Sequence, residues 1–313
     1  MANTTQGTVW NLPNYSGELF TSDQINTPFL TMIGGLSGGG MITDNFEFPT
    51  DQQYDHEAAA QPAITETASL TAPAVISYVR AQAKNVCQIF HETVSLTYER
   101  MANQGRLSGI NTAGQANAVP SELDFQIAKA LEKIARDIDY TCINGAYSIA
   151  ANAGQANKTR GLLELCTVNT VAGGSAYATK AMIDALLLEM YTNGALFKNV
   201  VLWCNGFQKQ VISDIYGYAP TDRNVGGVNI KQIETDFGNI GIMLDRFMPT
   251  TSILLADMAL IKPVFQPVPE KGNFFYEELA RTGAAVSGQI FGKFGLDHGP
   301  SFAHGSLTGL LDA

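Results

Sequence analysis

Apolar residues recur through PSELDFQIAKALEKIARDIDYTCINGA at Ile127, Leu131, Ile134, Ile138 and Cys142, spacings of four, three, four and four that keep them on one face of a helix. Pro120 stands before the N-cap Ser121, and Glu122 and Asp124 follow in the first turn, where a hydroxyl and carboxylates suit the exposed N–H groups. The pattern predicts a helix over 121–143, about 35 Å long at ~1.5 Å per residue, long enough to be the spine of a domain. A second helical run over 176–192 stops at Asn193-Gly194, a pair that lets the chain turn left-handed. NVVLWCN, residues 199–205, is apolar throughout its middle and reads as a buried strand, and Phe207, Val211 and Ile215 then mark one face of a short helix. After Gly226-Gly227, VNIKQIETDFGNIGIMLDRFMP and SILLADMALI read as strands, the first folded back at a Gly238-Asn239 turn. GAAVSGQIFGKFGLDHG alternates Val286, Gly288, Ile290, Gly292, Phe294 and Leu296 against more polar neighbours, which predicts one long strand. Its glycines thin one face, so another backbone, the spine helix or a neighbouring arm, is expected close to it.

The first half of the chain reads differently. Residues up to about 40 are polar and turn-rich apart from TPFLTMI (Thr27 to Ile33), and GGLSGGG (Gly34 to Gly40) then forms a joint. No Lys-Ser or Lys-Thr follows these glycines and the G-x-G-x-x-G spacing is absent, so they do not read as a phosphate loop. From Asn45 to Val79 the chain is rich in Ala, Thr and Pro and has too few bulky residues for a core of its own. Strand-like composition at 45–50 and 74–98 predicts a long two-stranded arm with an Ala-Pro-rich tip, and because an isolated ribbon is marginal in water, the arm is expected to lie on another surface. With the helices and strands that follow, the fold class is α+β.

Composition sharpens the picture in three ways. The 313 residues are 45% apolar, which supports a buried core, but only 15% charged against the roughly 25% of a typical soluble domain, so part of the surface is expected to be covered by partners. The net charge of −10 is uneven: residues 1–79 hold eight carboxylates and no Lys or Arg, whereas 80–313 balance 19 basic against 21 acidic groups. That split argues against a nucleic-acid grip, and leaves either an acidic solvated face or a segment lying against a neighbour's basic groups. The N-terminus lacks the basic and apolar regions of a secretory signal, no apolar run reaches ~18 residues, and Cys87, Cys142, Cys166 and Cys204 show no C-x-x-C spacing. A chain made in a cytoplasm, free of the membrane, with reduced buried thiols is expected.

No constellation of side chains points to catalysis, a cofactor or a metal. His56, His91, His298 and His304 form no zinc motif. Asp297, His298, Ser301 and His304 contain the residue types of a hydrolytic triad, but Ser301 follows Gly-Pro in a polar tail without a G-x-S-x-G elbow, so a solvated loop is the expectation. Of the paired carboxylates, only Glu234 and Asp236 share a strand face, at the mouth of the expected hairpin.

An N-terminal arm, a core-less β arm, a spine helix, an inserted α+β unit and a closing strand, in that order, resemble a tailed-phage major capsid protein. TPFLTMIG (Thr27 to Gly34), KNVCQIFHETVSLTYERMANQG (Lys84 to Gly105), RGLLE (Arg160 to Glu164) and TDFGNIGIMLDRFMP (Thr235 to Pro249) carry the likeness, closest to the branch found in several short-tailed phages. The resemblance implies the Hong Kong 97-type capsid fold: an N-terminal arm over 1–43, an extended β loop over 44–97, a peripheral domain over 98–170 with its spine helix, an axial domain over 171–261, and a return to the peripheral domain with the C-terminal strand over 262–313. It implies a structural role without catalytic residues: self-assembly into hexamers and pentamers of an icosahedral head shell, built in the host cytoplasm and part of the virion. Portal, scaffolding and decoration proteins are the implied partners, with non-specific proximity to packaged DNA. A protein nanocompartment shell shares this fold and is the alternative, followed by a soluble α+β enzyme. Inter-subunit contact is expected of Phe46, Phe48, Val75, Ile76, Tyr78 and Ile89 on the arm, and of the basic Arg80, Lys84, Arg100, Lys129, Lys133 and Arg136. In cross-linking members of the fold a loop lysine joins an asparagine of another subunit; here 51–73 hold no lysine and the first is Lys84, so no cross-link is expected.

Overall fold

In the computed structural model, the described residues are 26–36, 40–54, 58–102, 121–216, 231–281 and 283–312. The first 25 residues, Ser37 to Gly39 of the glycine joint, His56, Pro120 and the Gly226-Gly227 pair lie outside them. The elements run α1 (Pro28–Met32), β1 (Met41–Ile42), β2 (Glu47–Tyr54), α2 (Glu66–Ser69), β3 (Arg80–Val86), β4 (Gln88–Thr97), α3 (Tyr98–Ala102), α4 (Glu122–Asn144) and α5 (Leu162–Leu165). They continue with β5 (Thr170–Ala172), α6 (Lys180–Thr192), β6 (Val200–Cys204), α7 (Gly206–Tyr216), β7 (Gln232–Thr235), β8 (Gly238–Leu244), β9 (Ile253–Asp257), β10 (Lys262–Phe265), β11 (Phe274–Glu278), β12 (Ala285–Asp297) and β13 (Gly305–Thr308).

The spine helix is α4, 23 residues long, capped as its sequence indicates: the Ser121 hydroxyl accepts the Asp124 N–H. Its stripe is buried only in the second half. Ile134, Ile138, Cys142 and Ile143 are buried where α4 packs on β4 and β12, while Ile127 is only partly buried against the same core and Leu131 is exposed. Strand β12 is the axis of a five-stranded sheet. Strand β4 runs antiparallel along one edge of it, from Ala285 opposite Thr97 to Phe294 opposite Gln88, while β11 and then β10 occupy the other edge, with β1 beyond β10. The predicted thinning of β12 is real, but side chains rather than a backbone fill it: a Cβ at Gly288 would stand 2.1 Å from the Tyr276 hydroxyl oxygen, one at Gly292 2.2 Å from the Phe274 ring, and one at Gly295 2.7 Å from the Phe48 ring.

The second sheet has six strands in the order β5-β13-β9-β6-β8-β7. Both faces of β6 and β9 are covered, which explains their unbroken apolar sequence. Alternate side chains go to two cores: Val201, Trp203, Leu254 and Ala256 face α1, α4, α5 and the five-stranded sheet, while Val200, Leu202, Cys204, Ile253 and Leu255 face α6 and α7. Strand β13 inserts between β5 and β9, so residues 305–308 lie in the sheet of the 171–261 unit, although the sequence division groups them with the returning segment. The hairpin between β7 and β8 turns on Asp236 and Phe237, with Gly238 at φ +121° opening β8, two residues ahead of the expected Gly238-Asn239 turn.

The arm is a separate two-stranded ribbon. Strands β2 and β3 pair antiparallel from Glu47 opposite Val86 to Tyr54 opposite Arg80, with a bulge between Pro49 and Asp51. The single strand expected over 74–98 is two. Residues 74–79 are unpaired, β3 belongs to the ribbon, and β4 belongs to the sheet. The chain changes partner at Asn85 to Cys87, where the buried Asn85 amide donates to the Leu296 carbonyl at 2.8 Å and its oxygen accepts the Arg160 N–H at 2.8 Å.

Candidate functional site

The residues singled out for chemistry are used structurally. Burial pushes the thiols of Cys87, Cys166 and Cys204 up to about 12, and Cys142 up as well, so they are poor nucleophiles and poor metal ligands. His304 is a buried brace: its Nδ1 accepts the Asp257 N–H at 3.2 Å and its Nε2 donates to the His298 carbonyl at 2.7 Å. His298 bonds the Gly299 carbonyl through Nδ1 at 2.7 Å, and Asp297 accepts the Gly299 N–H. The imidazoles thus bond backbone rather than Ser301, and with His298 and His304 buried and Asp297 and Ser301 half-buried the segment is part of the packed structure rather than the solvated loop expected. Glu234 and Asp236 are exposed at the β7–β8 turn. Among the described residues no three metal-ligating side chains gather, and no helix is long and apolar enough to cross a membrane.

What the surface offers instead is apolar contact area. Every residue from 58 to 82 is exposed, and within that stretch stand Ile64, Leu70, Val75, Ile76, Tyr78 and Val79, Leu70 at 84% and Val75 at 96% of full exposure. Among the described residues of the tip the one helix is the short α2, capped by the Thr65 hydroxyl on the Ala68 N–H. Tyr78 packs edge-on against Tyr54 across the ribbon, 6.2 Å between ring centroids. Beneath the arm's root, Ile89 on β4 is exposed and lines a cleft of about 340 Å³ with His91, Ile134, Asp137 and Tyr140, between β4 and α4.

The expected contact residues divide between these places and the interior. Val75, Ile76 and Tyr78 lie on the arm, Ile89 lies in the cleft, and Phe46 is half-exposed at the arm's root. Phe48 does not belong with them: it is 4% exposed and packs in its own subunit with Cys87 and Val264, over Gly295. Arg80 is exposed where the ribbon ends. Four of the other basic residues already meet acids of their own chain: Lys84 with Glu47 at 3.2 Å, Arg100 with Glu122 at 3.1 Å, Lys129 with Glu132 at 2.8 Å, and Lys133 with Glu92. Arg136 is half-buried on α4. The Glu92 hydrogen bond raises the Lys133 pKa. Ile64, Leu70, Val79 and Tyr140 escaped the sequence reading, although the first three sit in the core-less segment whose composition had already marked it.

Against known families, the SU10 major capsid protein model matches residues 2–311. The chain belongs to the SU10 major capsid protein family. It is a phage major capsid protein that forms the head shell, a virion component and not an enzyme. No curated protein matches the sequence. Among solved structures, the capsid of cyanophage A-1(L) superposes with a TM-score of 0.66 at 11% identity, over 96% of this chain and 97% of that one. The holo-SrpI encapsulin of Synechococcus elongatus PCC 7942 gives 0.57 at 12% identity, over 95% and 93%, and the capsid of cyanophage P-SCSP1u 0.55 at 9%, over 96% and 93%. These likenesses establish the Hong Kong 97-type fold, mixed α+β, as expected.

Proposed function

We propose that this capsid protein closes its shell by laying the arm of residues 44–97 across an adjoining subunit, in hexamers and pentamers, with the β4–α4 cleft as the seat for a neighbour's apolar tip. One observation carries the reading: residues 58–82 are exposed throughout yet present Leu70, Val75, Ile76, Tyr78 and Val79. Burying an aliphatic side chain of this size contributes about 1.5–3 kcal/mol, and many repeats of the contact around a shell make assembly cooperative. On this reading 98–170 with β10 to β12 form the peripheral domain, and the six-stranded sheet with α6 and α7 the axial domain. Portal, scaffolding and decoration proteins, a short-tailed virion and non-specific contact with packaged DNA complete it.

Deleting Gln52 to Pro73 tests it. Among the described residues the deletion removes no buried side chain, so the subunits stay folded and soluble, and electron micrographs show no closed particles. Normal particles from the deleted chain would show that the arm is not the clamp.

A further inference from the structure

The arm helix α1 is held by more than apolar packing. Phe29, Leu30 and Ile33 are buried, and the Phe29 ring lies 5.1 Å from that of Trp203 on β6. Beside them two carboxyl groups are sealed from water: Asp139 on α4, with no exposed surface, and Asp245 just after β8, 2% exposed. Asp139 Oδ1 accepts the Leu30 N–H at 2.6 Å, in the first turn of α1 where N–H groups lack helical partners, and Asp245 Oδ1 accepts the Phe247 N–H at 2.8 Å. The two side chains stand within hydrogen-bonding reach of each other, and their Oδ2 atoms are buried with no donor among the described residues.

We propose that Asp139 and Asp245 share a proton and form a latch that holds the arm helix on the spine helix, and that loosens when the proton is lost. One proton between the carboxyls supplies the donor that both Oδ2 atoms lack, and leaves a single negative charge facing the N–H groups of α1. Without it, two adjacent carboxylates would stand desolvated, an arrangement that opposes ionisation of both. Among the described residues no neighbour neutralises that charge: α1 (Pro28–Met32) has no ionisable side chain, β6 presents Trp203, the Cys142 thiol of α4 faces the pair, Arg246 is exposed, and Asp137 interacts with Lys133, Glu92 and Arg136. Burial, and then the charge of Asp245, push Asp139 up to about 8, and burial pushes Asp245 up as well.

The sign follows from proton counting. Between the ordinary carboxylate range and about pH 8 the docked state holds a proton that the undocked state releases, so docking weakens by up to about tenfold per pH unit as pH rises through that window. Trp203 reports it. The chain has two tryptophans, so Trp10→Phe in the full-length protein leaves Trp203, next to Phe29, as the only tryptophan, read by excitation beyond the tyrosine band. The expected result is a one-proton emission change between about pH 6 and 9 that disappears in Asp245→Asn, whose neutral amide donates to Asp139 at every pH. Absence of the change, or an unmoved midpoint in Asp245→Asn, would overturn the proposal. If that variant does not fold, infrared spectra of the unsubstituted chain decide: the carbonyl band of a protonated buried carboxyl, present at about pH 6 and lost by about pH 9, supports the latch, and its absence at the lower pH refutes it.

Discussion

Phe48 separates an arm anchored in its own subunit from one that uses every apolar side chain on a neighbour. Its ring is 4% exposed in a small cluster with Cys87 and Val264, and lies where a side chain at position 295 would project. Phe48→Ala removes a buried ring from the arm's root, and substitutions of this kind cost about 3–5 kcal/mol; a cluster this small relaxes in part, which favours the lower end. Gly295→Ala errs the other way. Its Cβ would stand 2.7 and 2.8 Å from two ring carbons of Phe48 and 3.2 Å from the Val86 carbonyl oxygen, an overpacking worth about 1–3 kcal/mol. Combined, the changes offset one another, because the new methyl occupies space the ring has left while the Val86 contact remains. The double variant should therefore be at least about 1 kcal/mol more stable than the sum of the single effects requires. Urea unfolding of dissociated subunits, followed by circular dichroism, measures all three. Additive effects, or a Phe48→Ala loss below about 1 kcal/mol accompanied by failed assembly, would refute the intramolecular anchor and return Phe48 to the interface.

Mature particles run as a single band of chain mass on denaturing gels, since the described tip carries no lysine and Lys84 is paired with Glu47 on the ribbon; a ladder of multimers would refute this. Burial holds His298 down to about 4, and His304 below its ordinary range, so the unfolded chain binds protons that the folded one refuses as pH falls from about 6.5 to 4. Relative to His298→Asn, the unsubstituted subunit should lose stability across that window by up to about 1.4 kcal/mol per pH unit; a pH-independent difference would show that His298 does not resist protonation.

The mutual support of two sheets through one core also explains why the arm is built as it is. Asn85 satisfies the backbone of both Arg160 and Leu296 at the point where β3 gives way to β4, so the ribbon leaves the body from a fixed root while residues 58–82 are exposed throughout. A rigid root with an exposed apolar tip suits an element whose partner is another subunit.

Local pattern alone determined much of this protein. The 3.6-residue period and the Ser121 cap located the spine helix to within a residue, the alternation over 285–297 defined the closing strand, and the poverty of bulky residues over 45–79 marked an arm without a core. These features depend on neighbours a few residues away, and so they are written along the chain. Partner choice is not. That Phe48 faces inward while Ile89 faces out, that Lys84 and Lys133 meet Glu47 and Glu92, that β13 joins the sheet of β9, and that Asp139 meets Asp245 depend on contacts across 37 to more than 100 residues of sequence. Each depends on which surfaces the packed sheets bring together, and an isolated residue carries no sign of the partner that folding will place beside it.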